Sequence, residues 1–323
     1  MALDSSWGND HFHRNEVFNT QLQEVLRDDL FAEQWVNFLG DFPDGSNYKI
    51  NSVGELTIDQ MTEATALPDR QPDSGQFVFN PNEFVGVKVP FTDVFLEDDF
   101  MAGQVLSTIP DRMTRAFEEY LETQVLKLQN QQTLGDPNAI NGAKHRFSAN
   151  GTSKRITIQD VAYVNYALKK ASAGNNIMIG IVDPSFEFET NISAQVTTSF
   201  NPMYEGVITT GIGTGFRFIR NIYGVDFYTS NYLDEQTAAE TLVDYGGNAT
   251  NGAAGDKLNV FFSAQDRANL PFIGSWRRRP KVESWRDPSK ETEYHQFSAR
   301  FGLALHRPET LVVMNSGTTL TIA

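Results

Sequence analysis

Val85, Val87, Val89 and Phe91 alternate with Gly86, Lys88, Pro90 and Thr92, the period of two expected of a β-strand with one buried face. A second alternating stretch lies upstream around Leu56 and Ile58, and the polar tip Leu67-Pro68-Asp69-Arg70-Gln71-Pro72 separates the two. Residues 46–94 therefore read as a long two-stranded arm whose tip has no apolar face to bury. Such an arm makes a poor catalytic core and is better suited to gripping a neighbouring subunit. Downstream the period changes. Met113, Phe117, Leu121, Val125 and Leu128 follow three–four spacing on one stripe, so residues 110–132 read as a helix about 34 Å long. Pro110 is expected either to start this helix or to kink it after a shorter helix over 97–108.

Elsewhere the elements are shorter. Leu22, Val25, Leu26, Leu30 and Phe31 recur at helical spacing ahead of Trp35, Phe38 and Leu39, and the turn-rich run Gly40 to Gly45 ends that segment. Thr157, with Asp160 three residues on, predicts a capping box. The helix it opens carries the stripe Val161, Val164, Leu168 and Ala171 and ends at Gly174. Ile177 to Val182 is unbroken and apolar, the mark of a strand buried on both faces. Further strands are expected at 216–219, 225–229, 258–262 and 311–314, and residues 234–257, rich in Ala, Gly, Asn and Thr, read as a surface loop. No internal repeat is present.

Composition narrows the class. With 40% hydrophobic and 21% charged residues among 323, the chain is globular rather than disordered. It has no cysteine, which excludes disulfides, zinc–thiolate sites and thiol nucleophiles. No apolar run is long enough to cross a bilayer as a helix, and the N-terminus lacks the basic and apolar regions of a secretory signal. The net charge of −15 is unevenly spread. Residues 1–119 hold 22 Asp and Glu against 7 Lys and Arg, and the remainder holds 19 of each sign. A surface built from the first part repels nucleic acid, although solubility alone is explanation enough for the charge taken by itself.

Candidate chemistry is sparse. Gly211-Ile212-Gly213-Thr214-Gly215 is followed by a strand-like run rather than a helix, so it reads as a turn and not as a phosphate loop. His11, His13, His145, His295 and His306 lack metal-ligand spacing. Glu97-Asp98-Asp99 is read as acids placed at a helix start by the macrodipole, in preference to a cation site. No catalytic, cofactor-binding or metal-binding residue is assigned. The one basic-aromatic concentration is Trp276-Arg277-Arg278-Arg279-Pro280-Lys281 with Trp285 and Arg286. Given the acidic first third, it is expected to pair with carboxylates of a neighbouring copy, because the planar Arg fork binds a carboxylate bidentately.

In this order the pieces resemble the major capsid proteins of tailed bacteriophages, with the Hong Kong 97-type fold. Phe84 to Phe91 through Asp98-Asp99-Phe100 looks like the returning strand of that family's extended loop and the entry to its spine helix. Ile158–Lys170 followed by Ile177–Val182, Asp183 and Pro184 looks like the opening of its axial domain. Gly215–Ile219, Gly224–Leu233 and Arg307–Val313 resemble its late strands. The resemblance implies an α+β fold with an N-terminal arm (1–45), an extended loop (46–96), a spine helix and the start of a peripheral domain (97–155), a mainly axial domain (156–257) and return strands (258–323).

It also implies a function: self-assembly into pentamers and hexamers of an icosahedral shell around double-stranded DNA, with the spine helix and arm facing inward. DNA would be enclosed without sequence-specific binding, and the subunit would have no membrane partner. Assembly would take place in the host cytoplasm, with scaffolding and portal proteins as partners. Subunit contacts are expected at Pro68, Asp69, Arg70, Phe84, Lys88, Phe91, Arg277, Arg278 and Arg279. Pro110, the long 234–257 loop and the basic 276–290 segment depart from the plainest family pattern. The absence of a long charged N-terminal segment favours a separate scaffolding protein. An encapsulin-like compartment shell and a soluble β-rich binding protein or enzyme stay open as alternatives.

Overall fold

The computed structural model describes residues 30–318 apart from 31, 42–46, 55, 57, 62, 64–68, 70, 71, 73, 99–101, 133–137, 174–176, 193–217, 223, 238–240 and 265. In chain order the strands and helices begin with β1 (Val36–Leu39), β2 (Tyr48–Val53), β3 (Ser74–Phe79), β4 (Glu83–Thr92), α1 (Asp93–Asp98) and α2 (Ala102–Lys127). β5 (Ala139–Ile140), β6 (Ala143–Lys144), β7 (Arg146–Ser148), α3 (Ile158–Lys170), β8 (Met178–Val182) and α4 (Pro184–Ile192) follow. The last part holds β9 (Phe218–Ile222), β10 (Val225–Thr229), β11 (Thr241–Val243), β12 (Ala249–Asn251), β13 (Lys257–Ser263), β14 (Phe272–Asp287), β15 (Thr292–Leu305) and β16 (Leu311–Ser316).

Six strands form one mixed sheet in the order β7-β16-β13-β8-β10-β9. Its central strands bury both faces, which explains their unbroken apolar sequence. Side chains alternate across the sheet. Ile179 and Ile181, Val260 and Phe262, and Leu311 and Val313 enter one apolar cluster with Val125 and Leu126 from the end of α2 and Leu128 just after it. Met178 and Val182, Phe261, and Val312 and Met314 enter a second cluster with Val161, Val164 and Leu168 of α3. α3 starts where its capping box predicts: Thr157 and Asp160 exchange side-chain-to-backbone hydrogen bonds. Gly180 lies between the rings of Phe227 and Phe261, where an added Cβ would come within 2.9 Å of Phe261.

The second sheet has the order β1-β14-β15-β4. α2 lies across it, with Met113, Ile109 and Phe117 against Val85, Val89, Trp276, Phe297 and Ala299. The Phe117 ring sits 4.9 Å from that of Phe297. The alternation over 85–91 is thus real, but β4 is an edge strand and its inward face is only partly covered.

Several expectations need correction. The two-stranded arm pairs β2 with β3, Tyr48 opposite Phe79 through Val53 opposite Ser74; β4 instead pairs with β15. Leu56 and Ile58 lie beyond the strand. Pro110 neither starts nor ends a helix but sits inside the 26-residue α2. It cannot donate to the carbonyl one turn back; beside it, Thr108 Oγ1 donates to the Val105 carbonyl and Thr114 Oγ1 to that of Pro110, both at 3.0 Å. Glu97 and Asp98 end α1 rather than begin a helix, so the macrodipole does not account for them. Residues 234–257 are more than a loop. β11 and β12 form a hairpin with Leu242 buried, Lys144 Nζ donates to the Asp244 carbonyl at 2.7 Å, and the Tyr245 and Tyr163 rings stack at 5.5 Å. The expected arm helix at 22–31, apart from Leu30, lies outside the described residues, as do Gly174, Gly211 to Gly215, His11 and His13.

His145 is fully buried beside β16; its Nδ1 lies 3.2 Å from the Ala143 carbonyl. Burial holds its pKa below the usual value, against the opposing pull of Glu309. The unfolded chain therefore binds this proton first, near pH 6.5. Stability is full above that pH and is lost as pH falls toward the depressed folded value. Urea titrations from pH 7 to 5 should show falling stability, with the slope reduced in His145→Gln by up to about 1.4 kcal/mol per pH unit.

Candidate functional site

The β2–β3 hairpin is fixed at its base and uncovered at its far end. Phe79 is buried, its ring 6.1 Å from Tyr48, and Phe77 meets His306 edge-on at 4.8 Å. Beyond this anchor Val53 is 76% exposed, Leu56 63%, Ile58 99% and Met61 72%. A two-stranded ribbon is at best marginally stable in water, and exposed apolar side chains gathered on one projection mark an interaction surface.

A second apolar feature is a groove of about 340 Å³ between α2 and β4. Phe84, Val87, Met113, Ala116, Phe117 and Tyr120 contribute to its walls, and Phe84 is 63% exposed. The Arg278 guanidinium sits 5.6 Å from the centre of the Phe84 ring. Burial, helped by Glu83, raises the Tyr120 phenol above its ordinary pKa.

The third surface is the far half of the β14–β15 ribbon. Trp285 stacks on Tyr294 at 5.5 Å, and Lys88 Nζ lies 3.8 Å from the Tyr294 ring centre and 5.0 Å from that of Trp285. Along this ribbon Arg279 Nε bonds the Asp41 carboxylate at 3.0 Å and Arg286 pairs with Asp93. Residues 278–286 are all exposed.

The expected contact residues fall into separate places. Phe84 joins Arg278, Lys88 joins Trp285 and Tyr294, and Arg277 and Arg279 lie on the same strand. Asp69 is exposed in the stretch between β2 and β3; Pro68 and Arg70 lie outside the described residues. Phe91 departs from the expectation: it is buried within its own chain against Phe95 and His295. Tyr294 carried no sequence signal, since only the β14–β15 register brings it opposite Trp285.

The nearest thing to catalytic geometry is Ser284 Oγ, 2.6 Å from His295 Nδ1, with Glu293 3.6 Å from His295 Nε2. These three stand on neighbouring strands of a sheet, Ser284 directly opposite His295, and read as a cross-strand contact. Among the described residues no cluster of metal-ligating side chains occurs, and no helix is long and apolar enough to cross a membrane.

Residues 77–314 match the family described as Phage capsid protein. No curated protein matches the chain by sequence. Solved structures match over nearly its whole length at low identity. One, from Mycobacterium phage Che8, has a TM-score of 0.65 at 14% identity, covering 94% of this chain and 97% of that one. Another, from the mature capsid of bacteriophage PhiM1, scores 0.68 at 11% identity and covers 95% and 93%. The capsid of Ralstonia phage GP4 scores 0.63 at 9% identity, with full coverage of both chains.

The hairpin's two ends should respond differently to substitution. Ile58→Ser should change urea-measured subunit stability by no more than about 0.5 kcal/mol, whereas Phe79→Ala at the buried base should cost about 3–5 kcal/mol. A large loss from Ile58→Ser would mean that the far end packs on its own subunit.

Proposed function

The chain belongs to the phage capsid protein family and is a major capsid protein, a structural subunit of an icosahedral shell; from that premise we propose how its surfaces build the shell. Subunits associate as pentamers and hexamers in a Hong Kong 97-type arrangement, with α2 as the spine helix. The β2–β3 hairpin is the extended loop, laid over an adjacent subunit, and the segment before β1 is an arm reaching another neighbour. The observation that carries this reading is the hairpin, anchored through Phe77 and Phe79, with Val53, Leu56, Ile58 and Met61 beyond the anchor left exposed by the described residues.

Charge supplies the second half of the contact. The hairpin region is acidic, with Asp59, Glu63 and Asp69 in the stretch between its strands, whereas Arg277, Arg278, Arg279 and Lys281 cluster on β14. In one subunit Arg279 meets Asp41 and Arg286 meets Asp93, with Glu291 and Glu293 also acting on Arg286, in pairs whose guanidinium groups are exposed. Exposed pairs of this kind are weak and exchangeable, so carboxylates of a neighbouring copy can compete for these cations. Repetition through the shell makes small contacts sum, because symmetry brings each patch to its complement every time.

The enclosed cargo is double-stranded DNA, held without sequence-specific contacts. With the spine helix and the N-terminal arm facing inward, their acidity keeps it from adhering to the wall. Scaffolding and portal proteins direct assembly in the host cytoplasm.

The test is the double reversal Arg278→Glu/Arg279→Glu, expressed with the cognate scaffold. The subunit should keep its circular dichroism spectrum and urea midpoint while closed particles, followed by sedimentation and negative-stain microscopy, are lost. Normal particles from this variant would overturn the charge-pairing part of the reading.

A further inference from the structure

β14 has a partner along one side only over its far half. β1 pairs in parallel with Phe272 to Ser275 and no further, whereas β15 pairs on the other side as far as Asp287. Two register shifts, between Trp276 and Arg278 and between Arg278 and Lys281, break the ladder near its middle. From Lys281 to Asp287 the pairing with β15 is regular, and among the described residues nothing pairs the opposite edge. Prolines bracket this stretch at 280 and 288. Proline has no N–H to offer a ladder, so the open edge is limited to seven residues. Register shifts, prolines and charges are the usual means of blocking an edge; here they confine pairing to one short segment rather than abolish it.

We propose that this edge, Lys281–Asp287, pairs antiparallel with the same edge of a second copy about a two-fold axis through Ser284. The proposal rests on the shell reading and specifies one contact within it. Symmetry and side-chain parity restrict the choice of register. An antiparallel pair that continues one sheet across a two-fold needs the axis perpendicular to the sheet. Each residue then stays on its own face, and opposed residues must share a face. Only registers centred on a residue meet this condition. Centring on Glu283 opposes two glutamates. Centring on Trp285 sets Glu283 against Asp287. Centring on Val282 reaches back across the register shift and sets Arg278 against Arg286.

Ser284 is the remaining centre that opposes several residues of the segment. It sets Lys281 against Asp287 of the second copy at both ends, Glu283 against Trp285, Val282 against Arg286, and Pro280 against Pro288. Like charges opposite one another destabilise a strand pair and opposite charges stabilise it, so this register is self-complementary as an isologous contact must be. Asp287 is fit for the pairing: Ser289 donates to it from both N and Oγ at 3.0 and 2.5 Å and holds its carboxyl below the usual range. Lys281 now bonds only a same-chain neighbour, Glu283, at 2.5 Å, and both of those side chains remain about half exposed.

The absence of cysteine makes the test clean. Across an antiparallel pair opposed Cα atoms lie about 4.5 or 5.5 Å apart, within the roughly 4.4–6.8 Å that a disulfide spans. Ser284→Cys, assembled into particles and mildly oxidised, should yield mostly dimers on a non-reducing gel. Adding Lys281→Asp should abolish the dimer, and adding Asp287→Lys to that variant should restore it. If Ser284→Cys does not fold, co-expressed Glu283→Cys and Trp285→Cys subunits replace it, crosslinking together and neither alone. Intact particles with no dimer, or a dimer indifferent to the single charge reversal, would overturn the two-fold contact. If the unmodified chain forms no particles under any condition, it is the shell reading that fails, so the two failures are distinguishable.

Discussion

Everything in this subunit depends on the two-sided burial of β8, β13 and β16. A sheet with helices on only one side could leave polar residues on the other. Here each central strand must supply apolar side chains upward and downward in turn, Leu311 and Val313 to one cluster, Val312 and Met314 to the other. The strand that completes the sheet, β16, is the last of the described strands. β16 lies between β13 and β7, and the Val313 amide donates to the His145 carbonyl at 2.8 Å. Neither cluster can close before residue 316 has been made and brought back across more than 160 residues to β7. Such long-range pairing is slow to form, and subunits that expose these faces meanwhile are prone to associate wrongly.

The same cluster fixes the long helix. Val125 and Leu126 at its end and Leu128 just after it are held by Ile179, Val260 and Val313, while its middle, through Met113 and Phe117, rests on the other sheet. α2 is therefore the strut joining the two sheets, and a proline can sit inside it because packing, not helix propensity, holds the helix in place. The parts lacking such support are the hairpin beyond Phe79 and β14 beyond Trp276, whose residues 278–286 are exposed. Their own chain leaves them half covered, and in a shell that is where neighbours have surface to bury. The division of labour follows from the packing: two closed cores and a strut make a body, and the proposed contacts fall to the projections.

How much of this could be read from the sequence depended on whether burial wrote a period into it. β8 and α3 were legible because both are packed on apolar neighbours and their residues show it. The stripe on α2 was legible for the same reason, but its start was not. Pro110 outweighed the weaker pattern of Val105, Leu106 and Ile109, and only packing decides that contest. Alternation places the hairpin's first strand at Leu56 and Ile58, which are exposed, whereas the strand lies at Tyr48 and Ile50, which are partly covered. β14 carries the weakest strand signal in the sequence. Residues 277–281 read Arg-Arg-Arg-Pro-Lys, with no apolar face to announce a strand. Over this far half the strand is paired, among the described residues, with β15 alone, through backbone bonds that leave no trace in the side-chain pattern of 277–281. The proposed contact surface is marked in the sequence by charge and aromatic content, while Tyr294 joins it only through the β14–β15 register.

The exposed pairs Arg279–Asp41 and Arg286–Asp93 bear on how such a subunit avoids premature association. Charged groups left bare on an edge attract any acidic surface, including the hairpin of a copy in the wrong orientation. Satisfying them within the subunit by weak, solvent-screened partners lowers that attraction without removing the cations from reach. A correctly placed neighbour then gains by offering several contacts together, since the cost of fixing its position is met once for all of them. Selectivity of this kind comes from geometry rather than from the strength of any single pair, and it requires the body that holds the cations to be rigid. Here that rigidity is supplied by α2 and by the two closed faces of the central sheet.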